Sequence, residues 1–549
     1  MGPHEPVDGR LHPGGEVRIG LACAAGCREG SALMSFVRNL AVAAMLGAAV
    51  LPACEPVSPS PGGPPTIHDE GCRSIALDGS RTAGLRPADV PDDDVIADDT
   101  VTVDLAQPIG PVNQDLTGVV WNSGSSIAPV ADIHPEMVRL DASLQDRSPA
   151  PGQLDLDPLL DRVSQIRAID AEPLVLLSYM PRWLGGPRVT RPGQNPTRMG
   201  PYDLDLWQDL IEEVVRTVAT APDPAYRFEV WNEPDIGIIF WHDTPERFIE
   251  MALRTHRAVA NVKAETGLPL EVGGPASAIG LGLGDSMVPY LRAVADAGLP
   301  LDFVSWHNYA NTPFLGPDGA EGNLDPAIYD ALKGTNPDTT PLAYSAEIAE
   351  HRATIAEALA GTGLDPELWI DEWNVSGGGY DFRHDNAVGA ALVAGILVEM
   401  ERAGLDRAAI YRAISGGQNR AGDWGIVTAD GTPKPTWWVF RAWWAMTGTR
   451  LATRGDDATS GLWARATSDG GCVSVLLANF VATGSPARTV RLDLDGQLPH
   501  CRGRRTTTVS ALDTASTTLA DPRATRFGTH DSITVLMASQ SVAMVQISC

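Results

Sequence analysis

Two short segments carry the side chains best suited to chemistry. Phe228-Glu229-Val230-Trp231-Asn232-Glu233-Pro234-Asp235 and Leu368-Trp369-Ile370-Asp371-Glu372-Trp373-Asn374 are each an apolar run that ends in a glutamate flanked by Trp and Asn. Two carboxyl groups facing each other across a cleft are the minimum equipment for hydrolysing a glycosidic bond. One protonates the leaving oxygen while the other attacks the anomeric carbon or activates a water. Glu233 and Glu372 lie 139 residues apart, so only a tertiary fold can bring them together. A barrel of parallel strands does so, because it gathers the C-terminal ends of its strands on one face.

The elements such a barrel needs are legible from residue 101 onward. Short apolar runs at Thr117–Trp121, Met137–Leu140, Leu174–Ser178, Arg227–Trp231, Leu270–Gly273, Phe303–Trp306, Leu368–Asp371 and Ala409–Arg412 predict eight strands. Helical spacing separates most of them. Leu206, Leu210, Val214 and Val218 predict a helix over 206–218, and 248–262 and 388–402 read the same way. Strand–helix alternation over about 320 residues predicts a (β/α)₈ barrel spanning 98–447. After Thr447 the helical signal stops. Short strand-like runs at Leu462–Ala466, Val473–Asn479, Arg488–Leu494, Arg505–Leu512, Ile533–Ala538 and Val542–Ile547 predict a β-sandwich over 448–549, to which Val101–Leu105 could add a strand. On this count Glu233 ends the fourth barrel strand and Glu372 the seventh, so both point into one cleft.

Composition narrows the function from another side. The 549 residues carry a formal charge of −28, a sign that repels nucleic acid and anionic lipid. The N-terminus reads as a targeting region. Residues 1–33 precede a better start at Met34 and are read as an upstream segment outside the mature protein. Residues 34–54 form a signal sequence whose apolar run, Leu40 to Leu51, is too short to cross a bilayer as a mature helix. It ends in Leu51-Pro52-Ala53-Cys54, similar to a bacterial lipobox, with Cys54 as the lipidated residue and residues 55–97 as a Pro/Asp/Gly-rich linker. The expected location is the cell envelope, with a lipid anchor as the sole membrane contact, or the exterior. Cys72, Cys472, Cys501 and Cys549 remain, and at least one oxidised pair is expected among them in an oxidising compartment.

Trp231-Asn232-Glu233-Pro234 and Asp371-Glu372-Trp373-Asn374 resemble the paired motifs of the retaining (β/α)₈ glycosidases. Within that clan the chain resembles glycoside hydrolase family 39, the β-xylosidases and α-L-iduronidases. The resemblance covers about residues 100 to 450. Further segments that carry it are Leu177-Ser178-Tyr179-Met180-Pro181, Val304-Ser305-Trp306-His307-Asn308-Tyr309, His384-Asp385-Asn386, Gly425-Ile426-Val427 and Gly431-Thr432-Pro433-Lys434-Pro435 with Trp437-Trp438. It implies Glu233 as general acid/base, Glu372 as nucleophile and Asn232 as donor to the sugar 2-hydroxyl. It places His307 and Tyr309 near the nucleophile, where a Tyr hydroxyl could hold Glu372, and leaves open which of the two does so. It also implies an oligo- or polysaccharide substrate, such as a xyloside, an arabinoside or a bacterial exopolysaccharide, cleaved by double displacement without a cofactor.

Trp residues near predicted strand ends suit a saccharide, whose flat C–H faces stack on indole rings. Trp121, Trp183 and Trp373 are the candidates for substrate contact, with Trp241 and Trp424 nearby. Arg139 and Asp141 end the second barrel strand and either reach the sugar or pair with each other. Glu347 and Glu367 read as surface charges. No metal constellation stands out, since the His residues are scattered. Gly377-Gly378-Gly379 reads as a mobile loop beside Glu372. Two other readings use the same scaffold. A sugar-binding envelope protein would have lost turnover, and a transglycosylase would pass the sugar to another acceptor.

Overall fold

The computed structural model describes residues 72–76, 96–124, 126–236, 239–278, 287–310, 341–377, 381–416, 420–497, 505–520, 524–528 and 531–548. The segments read as upstream extension and signal sequence, with Cys54, lie outside these residues, as do Cys501, Cys549, Gly378 and Gly379.

Eight parallel strands close into a barrel: β2 (Gly118–Val120), β3 (Met137–Asp141), β4 (Glu172–Leu177), β5 (Arg227–Val230), β6 (Glu271–Ser277), β7 (Phe303–Tyr309), β8 (Glu367–Asn374) and β9 (Arg407–Ile410). They are the eight expected strands, with ends moved by a few residues. Closure comes from β9 pairing with β2, in register Gly118 to Ala409. A Cβ on Gly118 would meet the Ala408 carbonyl oxygen at 2.5 Å, so this seam requires glycine. The outer ring holds α1 (Asp157–Arg167), α2 (Leu204–Ala219), α3 (Pro245–Thr266), α4 (Met287–Asp296), α5 (Pro341–Ala358), α6 (Ala387–Arg402) and α7 (Pro435–Ala445), while a 3₁₀ turn at Ala128–Ile133 serves the first crossover.

Local sequence explains the helix limits. The Asp203 side chain accepts from the N–H groups of Asp205 and Leu206 to cap α2, and Thr244 with Pro245 starts α3. The buried seam of α2 runs through Trp207, Leu210, Ile211, Val214, Val215 and Val218. Leu206, expected on that seam, faces solvent instead: steps of four residues overrun a 3.6-residue turn, so the row from Val218 back to Leu206 drifts off the buried face.

The remaining strands, β1 (Asp99–Pro111), β10 (Thr449–Arg454), β11 (Leu462–Asp469), β12 (Cys472–Asn479), β13 (Arg488–Asp495), β14 (Arg505–Leu512), β15 (Ala524–Gly528), β16 (Ser532–Met537) and β17 (Ser541–Ser548), form one hydrogen-bonded order, β15-β14-β17-β12-β11-β10-β1-β13-β16. Val475 and Val545 near one end share a core with Val490 and Val535 at the other, so the sheet curls over on itself as a sandwich. Residues 99–111 fall within the span given to the barrel but belong to this sheet, as the added strand at Val101–Leu105 suggests: β1 pairs in parallel with β13 and antiparallel with β10. β10 was missed because Thr449-Arg450-Leu451-Ala452-Thr453-Arg454 has little apolar content.

Sheet and barrel are fused through α6, which is buried along most of its length. Arg465 on β11 grips Glu401 with two hydrogen bonds of 2.8 and 2.9 Å, and the Trp463 indole donates to Glu399. The stretch read as linker is also not uniform. Cys72 is disulfide-bonded to Cys472 on β12, Ile75 is buried in the barrel core, and the Arg441 guanidinium donates to the carbonyls of Ser74 and Ile75. Residues 72–76 therefore strap sheet to barrel.

The disulfide joins residues 400 positions apart, so its loss frees a long loop in the unfolded chain. We expect Cys472→Ser to lower stability by about 2–4 kcal/mol. Thermal unfolding with and without reductant measures this, and mass spectrometry of unreduced digests should recover the Cys72–Cys472 cross-linked peptide.

Candidate active site

Inward-facing residues change character along the barrel axis. Met137, Leu174, Phe303 and Trp369 form an apolar floor, with the Phe303 and Trp369 rings stacked at 3.7 Å. Two residues further along β3, β7 and β8 stand Arg139, Ser305 and Asp371, with Glu229 from β5 among them. Beyond these come His307, Tyr309, Glu372 and Glu233. Period-two alternation accounts for most of this order. It does not account for Asp371 and Glu372 both facing inward. The register supplies the reason: Trp306 pairs with Ile370 and His307 with Glu372, which leaves Asp371 as the extra residue of a β-bulge. The bulge turns Glu372 into the cleft.

Arg139 is the hub. It is 3% exposed and meets three acids from two strands, β5 and β8. Its Nε donates to Glu229 Oε2 at 2.7 Å and lies 2.9 Å from Asp371 Oδ2. Its Nη1 donates to Glu372 Oε2 at 3.0 Å, and its Nη2 donates to Asn232 Oδ1 at 2.9 Å. It does not pair with Asp141, which instead accepts from the Ser143 N–H and the Ser178 hydroxyl. The Asn232 carbonyl oxygen is thus engaged, while its NH₂ has no protein partner among the described residues and is available to a ligand hydroxyl. Ser305 donates to the other oxygen of Glu229 at 2.5 Å.

The two glutamates sit in different surroundings. Tyr309 O–H donates to Glu372 Oε1 at 2.5 Å while Arg139 holds Oε2, so both oxygens are fixed. Burial, and then the Glu372 charge, pushes the Tyr309 hydroxyl well above its ordinary pKa, which keeps it a donor. The sequence left open whether His307 or Tyr309 steadies Glu372; Tyr309 makes the hydrogen bond. His307 Nδ1 is instead 2.7 Å from Glu233 Oε1, and burial keeps the imidazole pKa below its ordinary value. Burial, reinforced by Asp235, pushes the Glu233 carboxyl up to about 8, against the pull of Arg139. Glu233 is thus a proton-bearing acid at neutral pH. Its backbone lies in the left-handed region at φ 46°, with Trp231 at φ 63°, and its N–H donates to the Ala276 carbonyl at 2.8 Å. Such strain at a site is held in place by the surrounding contacts.

Ligand atoms of Glu233, His307 and Glu372 lie within 4.8 Å of one another. That is compact enough for a cation, but the Arg139 guanidinium on Glu372 opposes a second positive charge there. The same figure places carboxyl oxygens of the two glutamates within 4.8 Å, so one small group can bridge them.

The Trp expectations fare differently. Trp373 is fully buried between Tyr344 and Phe440, and Trp121 is 1% exposed with the Arg162 guanidinium 4.2 Å from its ring centre. Neither ring offers a face to a sugar. The bulge sends Glu372 inward and Trp373 outward against the helices. Trp183 is half-buried, with its indole donating to the Ser148 carbonyl at 3.1 Å. Glu347 is not a free surface charge, since it accepts from the Trp306 indole and the Asn308 amide beneath the end of β7. Glu367, exposed at the first position of β8, accepts from Trp369 and Arg407. Sequence reasoning missed Glu229 and Asp371. The available signal was an ionisable residue inside an apolar run, in Phe228-Glu229-Val230 and Ile370-Asp371, as in Val138-Arg139-Leu140.

Residues 145–483 match the family model described as glycosyl hydrolases family 39. The chain is 25% identical over 362 residues to a β-xylosidase of Caldicellulosiruptor saccharolyticus, covering 63% of this chain and 68% of that one. It is 29% identical over 248 residues to a β-xylosidase of Geobacillus stearothermophilus, covering 44% and 45%. Among solved structures, a glucosidase from Croceicoccus marinus superposes with TM-score 0.64 at 21% identity, over 83% of this chain and 99% of that one. A monomeric β-xylosidase from Caulobacter crescentus superposes with TM-score 0.63 at 20% identity, over 82% and 99%. These structural likenesses concern the fold.

The raised pKa of Glu233 has a thermodynamic sign. The unfolded chain gives up this proton near the ordinary value of 4.5, whereas the folded chain holds it to about 8. Stability is therefore lost as pH rises between these values. Glu233→Gln should raise Tm by a few degrees at pH 8 and leave it nearly unchanged at pH 4, measured by calorimetry across that range.

Proposed function

The chain belongs to glycosyl hydrolase family 39 and is a glycoside hydrolase; on that premise we propose that it cleaves xyloside-type bonds by double displacement, with Glu233 as acid/base and Glu372 as nucleophile. The observation that carries this reading is the unequal pair: carboxyl oxygens within 4.8 Å of each other, one carboxyl holding its proton and the other gripped by Arg139 and Tyr309.

In the first step Glu233 gives its proton to the glycosidic oxygen. The C–O bond breaks, its electron pair leaves with that oxygen, and a Glu372 oxygen bonds to the anomeric carbon. In the second step the ionised Glu233 takes a proton from water, whose oxygen displaces Glu372 and restores it. A direct attack requires carboxyl groups about 5–5.5 Å apart, whereas a site that inverts needs about 6.5–9.5 Å to seat a water. The close approach here supports the former. The NH₂ of Asn232, without a partner among the described residues, can donate to the sugar 2-hydroxyl, a contact that strengthens as positive charge develops on the ring. Tyr309 and Arg139 hold Glu372 in line and stabilise it as a leaving group in the second step. The β-xylosidase relatives support a xyloside as substrate.

A 2-deoxy-2-fluoro xyloside should trap a covalent adduct on Glu372, and the first-formed sugar should keep the substrate's anomeric configuration by nuclear magnetic resonance. Inversion would exclude double displacement. Glu233→Ala should cost about 10²–10⁴-fold on natural substrates but far less on aryl glycosides with good leaving groups, and azide should partly rescue it. Equal loss on every leaving group would assign the acid elsewhere.

We also propose that the protein is held at the cell envelope through a lipid on Cys54. The motif Leu51-Pro52-Ala53-Cys54 and the composition of residues 55–71 support this. One acyl chain binds a membrane only marginally, so stable anchoring needs more than one. Cys54→Ala should move the protein from the membrane fraction to the soluble one; unchanged membrane association would count against the anchor.

A further inference from the structure

Glu372 reaches the cleft only because β8 carries an extra residue, and that residue is itself a buried acid. Asp371 shows no exposure and is held from three strands. The Arg139 Nε on β3 lies 2.9 Å from its Oδ2 and 2.7 Å from Glu229 Oε2 on β5, so two carboxyl groups crowd one N–H, and His307 Nε2 on β7 lies 3.8 Å from its Oδ1. We propose that Asp371 is a positioning residue which acts as a neutral hydrogen-bond donor to Glu229, and so fixes the bulge that aims the nucleophile Glu372. The inference rests on the assignment of Glu372 as nucleophile.

Geometry and charge both require the neutral form. Neither oxygen of Asp371 accepts an aligned hydrogen bond from the described residues, which would leave an anion unsatisfied. Arg139 is the one cation touching Glu229, Asp371 and Glu372 among the described residues. Three anions around one guanidinium in a dry barrel would repel one another, and buried carboxyl groups crowded on one cation relieve the repulsion when one of them keeps its proton. Asp371 is the member that keeps it. Burial, and then the Glu229 charge, pushes its pKa well above the ordinary range. Burial also acts to raise Glu229, but Arg139 and the donors Asp371 and Ser305 outweigh it and hold that carboxylate below its usual value. With Asp371 neutral, the guanidinium is left to Glu229 and Glu372. An ionised Asp371 would compete for Arg139 and loosen its grip on the nucleophile.

The test compares Asp371→Asn, whose amide keeps a neutral donor of the same shape, with Asp371→Ala, which removes it. Trapping wild-type enzyme with the 2-deoxy-2-fluoro xyloside first establishes that Glu372 carries the label; a label elsewhere would remove the premise rather than the inference. Asp371→Asn should then keep kcat within about threefold. Asp371→Ala should lose about 100-fold in kcat with KM little changed, the scale of a reacting group displaced by about an ångström. Trapping by reagents with good leaving groups should slow in parallel, since that step depends on the nucleophile and little on the acid. Wild-type kcat in Asp371→Ala would overturn the proposal, as would a loss in Asp371→Asn as large as in Asp371→Ala, which would mean the negative charge is what matters. If Asp371→Ala does not fold, Asp371→Thr, a neutral hydroxyl donor, replaces it. Activity in Asn and Thr variants supports the donor role, and loss in both refutes it.

Discussion

A single buried guanidinium organises the centre of this barrel. Arg139 reaches acids delivered by β5 and β8 and the amide of Asn232, and each of its nitrogens faces a different partner. A planar fork of donors can do this where an ammonium could not. Burial makes the arrangement demanding. Removed from water, the charge must be matched closely, and the matching carboxylates cannot all ionise. The apolar floor beneath and the acids around it therefore set the protonation pattern of the cleft as much as Glu233 and Glu372 themselves do.

The unequal roles of Glu233 and Glu372 follow from where their strands end. Glu233 sits in a left-handed turn after β5, away from direct contact with the guanidinium and close to Asp235, so it retains its proton. Glu372 lies one residue past a bulge and is gripped through both oxygens. The same two residues in swapped surroundings would exchange their chemistry, because environment rather than residue type decides which acid is protonated.

Among the described residues the C-terminal sheet makes no contact with the cleft, but it stiffens the barrel that frames it. α6, which follows β8 in the chain, is clamped by Arg465 and Trp463, and the strap at Cys72 ties the start of β12 to α7. A strained, charge-laden site lowers stability. A fused second core and a long-range cross-link are suitable compensation, because they stabilise the scaffold without touching the reacting groups.

Much of this was legible in the sequence. Apolar runs separated by helical spacing gave the eight barrel strands, since burial imposes those periods on any chain that folds this way. The glutamates after Trp231-Asn232 and after Asp371 stood out because nothing else in an apolar strand end calls for a carboxylate. The tertiary structure decided the rest. Whether Arg139 pairs with Asp141 or spans the barrel depends on which strands close around it. Whether Trp373 stacks on a sugar or packs against Phe440 depends on a bulge that shifts the alternation by one residue, and a one-residue shift reverses every side chain beyond it. Bulges and buried charge networks arise from contacts between strands far apart in the chain, so local pattern carries no record of them. That is why the sequence could single out Glu233 and Glu372 as candidates, while only the folded barrel could show the groups that hold them.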